Sequence, residues 1–194
     1  MTAAVNLPER EELDRLTRAL HVGLAVLGLL AWLTGQFAGD YKKMSHPGFT
    51  IHSWIGISLS LLVLLRLLYG VWGPDQARFT SWVPYTWDRL RLVGEDLLTL
   101  AKLKLPERPA HQGLKSVAQS FGLLVFSWMA LTGSLMFFYL PPGQKARGLM
   151  HAIKEGHEWG ETLIPIFIAV HLTGVLLDAL FGQQKWRRTF FLED

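Results

Sequence analysis

Four histidines stand where a histidine is expensive. His21, His52, His157 and His171 lie within or at the edges of long apolar segments, and an ionisable side chain in such a segment is a functional hypothesis by default. Their spacing narrows the chemistry. His157 and His171 are 14 residues apart, which on a helix is about 21 Å along the axis and only about 40° around it. They share one face and lie towards opposite ends of one helix. His21 comes early in the first apolar segment and His52 opens the second. With helices alternating in direction, His21 reaches the depth of His171, and His52 the depth of His157. Two imidazoles facing each other from different helices suit the axial positions of a low-spin b haem, which passes single electrons and keeps no open iron position. A zinc site wants three or four ligands converging at one depth, and only two converge at each here. A haem-free protein that moves protons or metal ions on its histidines is the alternative of a different class. A proton relay, however, needs acids strung across the membrane, and only Glu161 and Asp178 lie in or near the segments.

The elements that must carry these histidines are legible in composition. Half of the 194 residues are apolar and 18% are charged, below the roughly 25% of an ordinary soluble domain. The apolar residues gather in four blocks, about Leu16–Phe37, Ile51–Trp72, Val117–Tyr139 and Glu161–Phe181. Each approaches or exceeds the roughly 20 residues that cross a hydrocarbon core. In lipid every backbone group must be satisfied internally, so each block is predicted to be a helix. The fold class expected is all-α: an integral-membrane four-helix bundle in one domain, with haem sites in its core. The first block follows a mixed-charge stretch, is long, and lacks a small-x-small cleavage site, so it reads as a span rather than a signal peptide. Between the second and third blocks, Pro84 to Leu105 reads as an amphipathic helix lying on the cytoplasmic membrane surface.

Charge placement sets the orientation. Arg10, Arg15, Arg18, the basic residues of the long loop from Arg78 to Lys115, and Lys185, Arg187 and Arg188 fall on one side. They outnumber Lys42, Lys43, Lys145, Arg147 and Lys154 on the other. Positive-inside places both termini in the cytoplasm. The net charge of +3 is modest, and no basic run interleaved with aromatics suggests nucleic acid. The absence of cysteine removes disulfides, iron–sulfur thiolates, thiolate-ligated haem and covalent c-type haem attachment.

Other residues take secondary roles. Arg66 lies 14 residues after His52, on the same face and at the depth of the His21–His171 pair, where it either binds a haem propionate or snorkels to the interface. Gly35 lies 14 residues after His21 and Gly133 at a similar depth, within the echo Leu33-Thr34-Gly35 and Leu131-Thr132-Gly133. Small residues there admit a flat macrocycle or a close helix. Trp54, Trp72 and Trp159 are interfacial anchors or cofactor contacts. His46, His151, Lys42, Lys43, Lys145, Arg147 and Lys154 form a basic periplasmic rim that could attract an acidic redox partner or a small anion such as superoxide, or remain ordinary solvated loop. His111 is expected to cap the third span or to hydrogen-bond a quinone or propionate.

The stretch His52-x-x-x-Gly56, then Arg66-Leu67-Leu68-Tyr69-Gly70-Val71-Trp72-Gly73 and Ala77-Arg78-Phe79, resembles the bacterial cytochrome b561 group, which shares its fold with the b-type cytochrome subunit of nickel–iron hydrogenases. Pro109-Ala110-His111-Gln112-Gly113 resembles the group's approach to the third span, without the usual Asn-Pro after the histidine. His157 and His171 match the pair on the last helix and His21 the one on the first. The resemblance covers about Arg18 to Phe181. It implies two haem b groups on His21, His52, His157 and His171, and electron exchange with membrane quinone. The function expected is electron transfer across the bacterial inner membrane between the quinone pool and a periplasmic redox protein or dehydrogenase subunit. A stand-alone superoxide:quinone-type oxidoreductase is the alternative.

Overall fold

The computed structural model describes residues 14–38, 47–109, 111–140 and 143–181. Arg10, Lys42, Lys43, His46, Ala110, Lys185, Arg187 and Arg188 lie outside the described residues. Six helices follow one another among the described residues: α1 (Arg15–Gly35), α2 (Pro47–Trp72), α3 (Phe79–Trp82), α4 (Trp87–Ala101), α5 (Leu114–Tyr139) and α6 (Leu149–Leu180). Helices α1, α2, α5 and α6 are each long and apolar enough to cross a membrane. Their outward faces carry exposed Leu61, Leu64, Leu124, Leu131, Leu172 and Leu176. A continuous apolar surface of that extent needs lipid rather than water against it. The molecule is an all-α, multi-pass membrane bundle.

All four spanning helices start earlier than the apolar blocks, α1 by a single residue, at Arg15. Helix α2 opens at Pro47, the first-turn position where a missing N–H is harmless. Helix α5 begins at Leu114 rather than Val117. The largest difference is in α6, which begins at Leu149 rather than near Glu161. Its first turns carry Lys154, Glu155 and Glu158, so they escape any search for apolar runs. His157 therefore sits more than two turns inside a helix instead of at its start, and Pro165 interrupts the ladder between His157 and His171.

Packing runs in series. Helix α1 lies along α2, α2 along α5, and α5 along α6, while α6 meets α1 only briefly and has no extended contact with α2. The core consists of Ala31, Leu59 and Val63, with Leu24, Leu27, Ile55, Leu67, Phe126 and Ala130 against it. At the start of α1, the Asp14 carboxylate accepts from Thr17 N at 3.0 Å, Thr17 Oγ1 at 2.6 Å and the Tyr69 hydroxyl at 2.9 Å. Burial pushes its pKa up, but these bonds outweigh burial and hold it below the ordinary carboxylate range.

Helix α4 is fastened to α5 through one buried carboxylate. Asp96 is 2% exposed; it accepts from the Leu114 backbone N–H at 2.9 Å and pairs with the Arg108 guanidinium. Arg108 also reaches Glu95 at 2.9 Å. The hydrogen bond to Asp96, more than that to Glu95, pushes the Arg108 pKa up. Gly113 precedes α5 at φ 59°, and a Cβ there would collide with the Asp96 carboxylate. Asp96 is thus the side chain that satisfies the first turn of α5. His111, expected as the cap, instead places Nδ1 3.0 Å from Gln119 Oε1. Asp96→Ala is expected to lower unfolding stability by about 2 kcal/mol, the loss of charge-assisted bonds. Denaturant titration in detergent measures this, with Asp96→Asn intermediate.

Candidate haem sites

The four span histidines meet in two pairs. The rings of His21 on α1 and His171 on α6 have centroids 6.1 Å apart with planes inclined at 47°. Those of His52 on α2 and His157 on α6 are 6.3 Å apart at 72°. Each pair bridges two helices that scarcely pack on each other, so each imidazole couple spans a gap in the bundle. The spacing is chemically specific. A histidine nitrogen sits about 2 Å from a bound metal ion and about 1.1 Å from its own ring centre, so two rings on opposite sides of one ion place their centroids about 6 Å apart.

Hydrogen bonds fix the tautomers of the second pair. His52 Nδ1 lies 3.0 Å from the Ala31 carbonyl and 3.4 Å from Thr34 Oγ1. A carbonyl only accepts, so Nδ1 carries the proton. His157 Nδ1 lies 2.9 Å from Thr132 Oγ1. The Thr132 hydroxyl donates at 2.7 Å to the Trp128 carbonyl, so its oxygen accepts from His157 Nδ1–H. Both rings are left with a bare Nε2, the form that ligates a metal.

Around this pair lies a cavity of about 450 Å³, bounded by Trp32, Phe49, Phe126, Met129 and Phe137, with Gly35, Gly56 and Gly133 in its walls. The volume falls within the roughly 300–1,000 Å³ of cofactor pockets. A Cβ on Gly35 would come 3.4 Å from His52 Cε1, and one on Gly133 would come 3.1 Å from His157 Cε1. The two glycines singled out by spacing thus lie against the two rings. Trp54, read as an anchor or a cofactor contact, lines the same cavity and meets the Phe137 ring edge-on at 5.7 Å. Ring spacing, tautomers and cavity together fit a haem b with two histidine ligands.

At the other pair, Phe167 stacks on His171 at 5.5 Å and 25°. It is flanked edge-on by Phe121 at 6.4 Å and Phe126 at 5.9 Å. Gly122 on α5 leaves the space that this ring fills. Phe167 was missed in the sequence, although its position one turn before His171 was a usable signal. Arg66 is held by α3 and the turn before it. Its Nη1 donates to the Ala77 carbonyl at 3.4 Å, and its guanidinium lies 5.5 Å from the Phe79 ring and 5.7 Å from the Trp82 ring. Lys115 on α5 pairs with Asp178 on α6 at 2.6 Å.

The basic rim needs correction. His151 and Lys154 are in α6, not in a loop. His151 Nδ1 lies 3.8 Å from Glu155, and Lys154 pairs with Glu158 and, at 3.8 Å, with Glu155. Glu158 and Glu161 also line the cavity beside Lys154, so its mouth carries both signs.

Residues 12–191 match the family described as prokaryotic cytochrome b561. No curated protein and no solved structure matches the chain.

Proposed function

Because the chain belongs to the prokaryotic cytochrome b561 family, and so is a membrane b-type cytochrome that binds haem and transfers electrons, we propose that it carries two haem b groups and passes electrons between the two faces of the bacterial inner membrane. The observation behind this is the pair of histidine couples at opposite ends of one helix, each bridging a gap in the bundle. His52 and His157 would hold one haem, and His21 and His171 the other. When bound, each supplies reversible one-electron chemistry.

The chain's own residues do the rest. Ala31 and Thr132 hold the Nδ1 protons of His52 and His157, which leaves Nε2 of each ring bare for a metal. Phe167 fixes the plane of His171. Arg66, held against the Phe79 and Trp82 rings, would offer its cation to a propionate of the haem at its end of α2. Ala31, Leu59, Val63 and Phe126 fill the core with apolar side chains and exclude water.

In the orientation given by positive-inside, His21, His171 and α4 face the cytoplasm, with both termini on that side. α4 then rests Leu97 and Leu98, both exposed, on the membrane surface. His52 and His157 lie towards the periplasm, where a redox protein or dehydrogenase subunit exchanges electrons, and membrane quinone is the second redox partner. Superoxide as donor is less well supported, because Lys154 is paired with acids. A proton relay is disfavoured because Asp178 is tied to Lys115. A metal-ion route is disfavoured because no three metal-ligating side chains converge among the described residues.

The test is the detergent-purified chain reconstituted in vesicles. Two haem b per chain, together with reduction of ferricyanide trapped inside by an impermeant reductant outside, is the expected result. One haem per chain, or no reduction across the bilayer with both haems present, overturns it.

A further inference from the structure

The two histidines of the His52–His157 couple are held differently, and the difference singles out one residue. Helices α1 and α5 repeat the sequence Leu-Thr-Gly at Leu33–Gly35 and Leu131–Gly133, and each glycine faces a histidine ring of the same couple. The threonines differ in what they do. Next to His52, the nearer partner of Nδ1 is the Ala31 carbonyl at 3.0 Å, and Thr34 Oγ1 is 3.4 Å away while donating to Leu30 O at 2.7 Å. Backbone therefore holds that ring. Next to His157, Nδ1 rests on the Thr132 hydroxyl at 2.9 Å.

Thr132 is also the better anchored of the two. It is 2% exposed, and its hydroxyl donates to the Trp128 carbonyl at 2.7 Å. The Trp128 indole N–H in turn donates to the Gly156 carbonyl at 2.8 Å, and His157 is the next residue. Trp128, Thr132, His157 and Gly156 thus close a loop of hydrogen bonds between α5 and α6. Within it the Thr132 oxygen can only accept from the ring.

We propose that Thr132 is a positioning residue for His157: its hydroxyl oxygen holds the Nδ1 proton, fixes the ligating tautomer and raises the basicity of Nε2 towards iron. Thr34 has no such role, because the Ala31 carbonyl does that work for His52. The inference rests on the proposed reading that His157 is a haem ligand. An acceptor on Nδ1–H makes imidazole a stronger donor, which favours ferric iron over ferrous. Losing it weakens binding by about tenfold, the low end for partners of metal ligands. If that loss falls on the ferric form, the midpoint potential of this haem rises by about 59 mV.

The test uses the full chain in detergent, with haem content per chain and spectroelectrochemical titration of both haems as readouts. His157→Ala comes first. If it keeps both haems, His157 is not a ligand and the premise fails. If it loses one, that haem's spectrum marks the component to follow. Thr132→Val is then expected to raise the potential of that component alone, with Thr132→Ser restoring it and Thr34→Val moving it far less. Should Thr132→Val fail to accumulate, Thr132→Ala removes the same hydroxyl from a smaller side chain and is read in the same way. Unchanged potentials in a hydroxyl-free variant holding both haems, or an equal shift in Thr34→Val, overturns the role of Thr132 while leaving the ligand assignment standing.

Discussion

His52→Ala purified in detergent is expected to hold one haem b per chain in place of two, and the spectrum it loses is the one that His157→Ala also loses. His21→Ala and His171→Ala are expected to lose the other. The rings couple as His52 with His157 and His21 with His171, at 6.3 Å and 6.1 Å, and each ring comes from a different helix than its partner. Removing one ring leaves a single histidine facing a gap, and a low-spin haem needs both axial positions filled. Because a cofactor that binds only the folded state stabilises it by RT ln(1 + L/Kd), L being its free concentration, each single variant also melts below the parent. The double variant His157→Ala with His171→Ala loses both haems, since α6 contributes to both couples. Unchanged haem content in both His52→Ala and His171→Ala sinks the pairing. So does a pattern in which His52→Ala and His171→Ala remove the same spectral component.

The part of this site that could be read from sequence is the part governed by helix periodicity. Fourteen residues between His157 and His171 imply one face and two depths, and topology then brings His21 and His52 to the right ends. The same spacing from His21 put Gly35, and a similar depth put Gly133, at the level of the His52–His157 couple, where the structure sets them against those two rings. What remained hidden depended on segments meeting from a distance. Nothing near Arg66 announces that Phe79 and Trp82 will fold back over it through a four-residue helix. Asp96 reads as one acid among several on an amphipathic helix, yet it is the group that satisfies the start of α5. The early start of α6 was hidden for another reason. Its first turns are charged, and hydrophobic blocks report where a helix is in lipid, not where it begins. That extension turned the expected basic loop into a helical surface on which Lys154 is neutralised by Glu155 and Glu158.

Glycine substitutions should separate the two haem sites without touching a ligand. A Cβ at Gly122 would run into the Phe167 ring. That ring has little room to yield, because it stacks on His171 at 5.5 Å and has Phe121 and Phe126 edge-on to it. A larger side chain at Gly122 therefore pushes Phe167 against His171, with an overpacking penalty of about 1–3 kcal/mol. Gly122→Leu is expected to lose or weaken the haem at His21–His171 and to keep the one at His52–His157. Gly133→Leu is expected to do the converse, since a Cβ there comes 3.1 Å from His157 Cε1 and the longer side chain enters the cavity. Gly174→Ala is the control within α6, where a Cβ would meet nothing within 4 Å, and both haems stay. Haem content and the reduced spectrum of each variant decide the matter. If Gly122→Leu keeps both haems with unchanged spectra, Phe167 does not hold His171 in place. If Gly174→Ala loses haem as readily as the other two, the losses reflect general damage to the bundle and not the shape of either site.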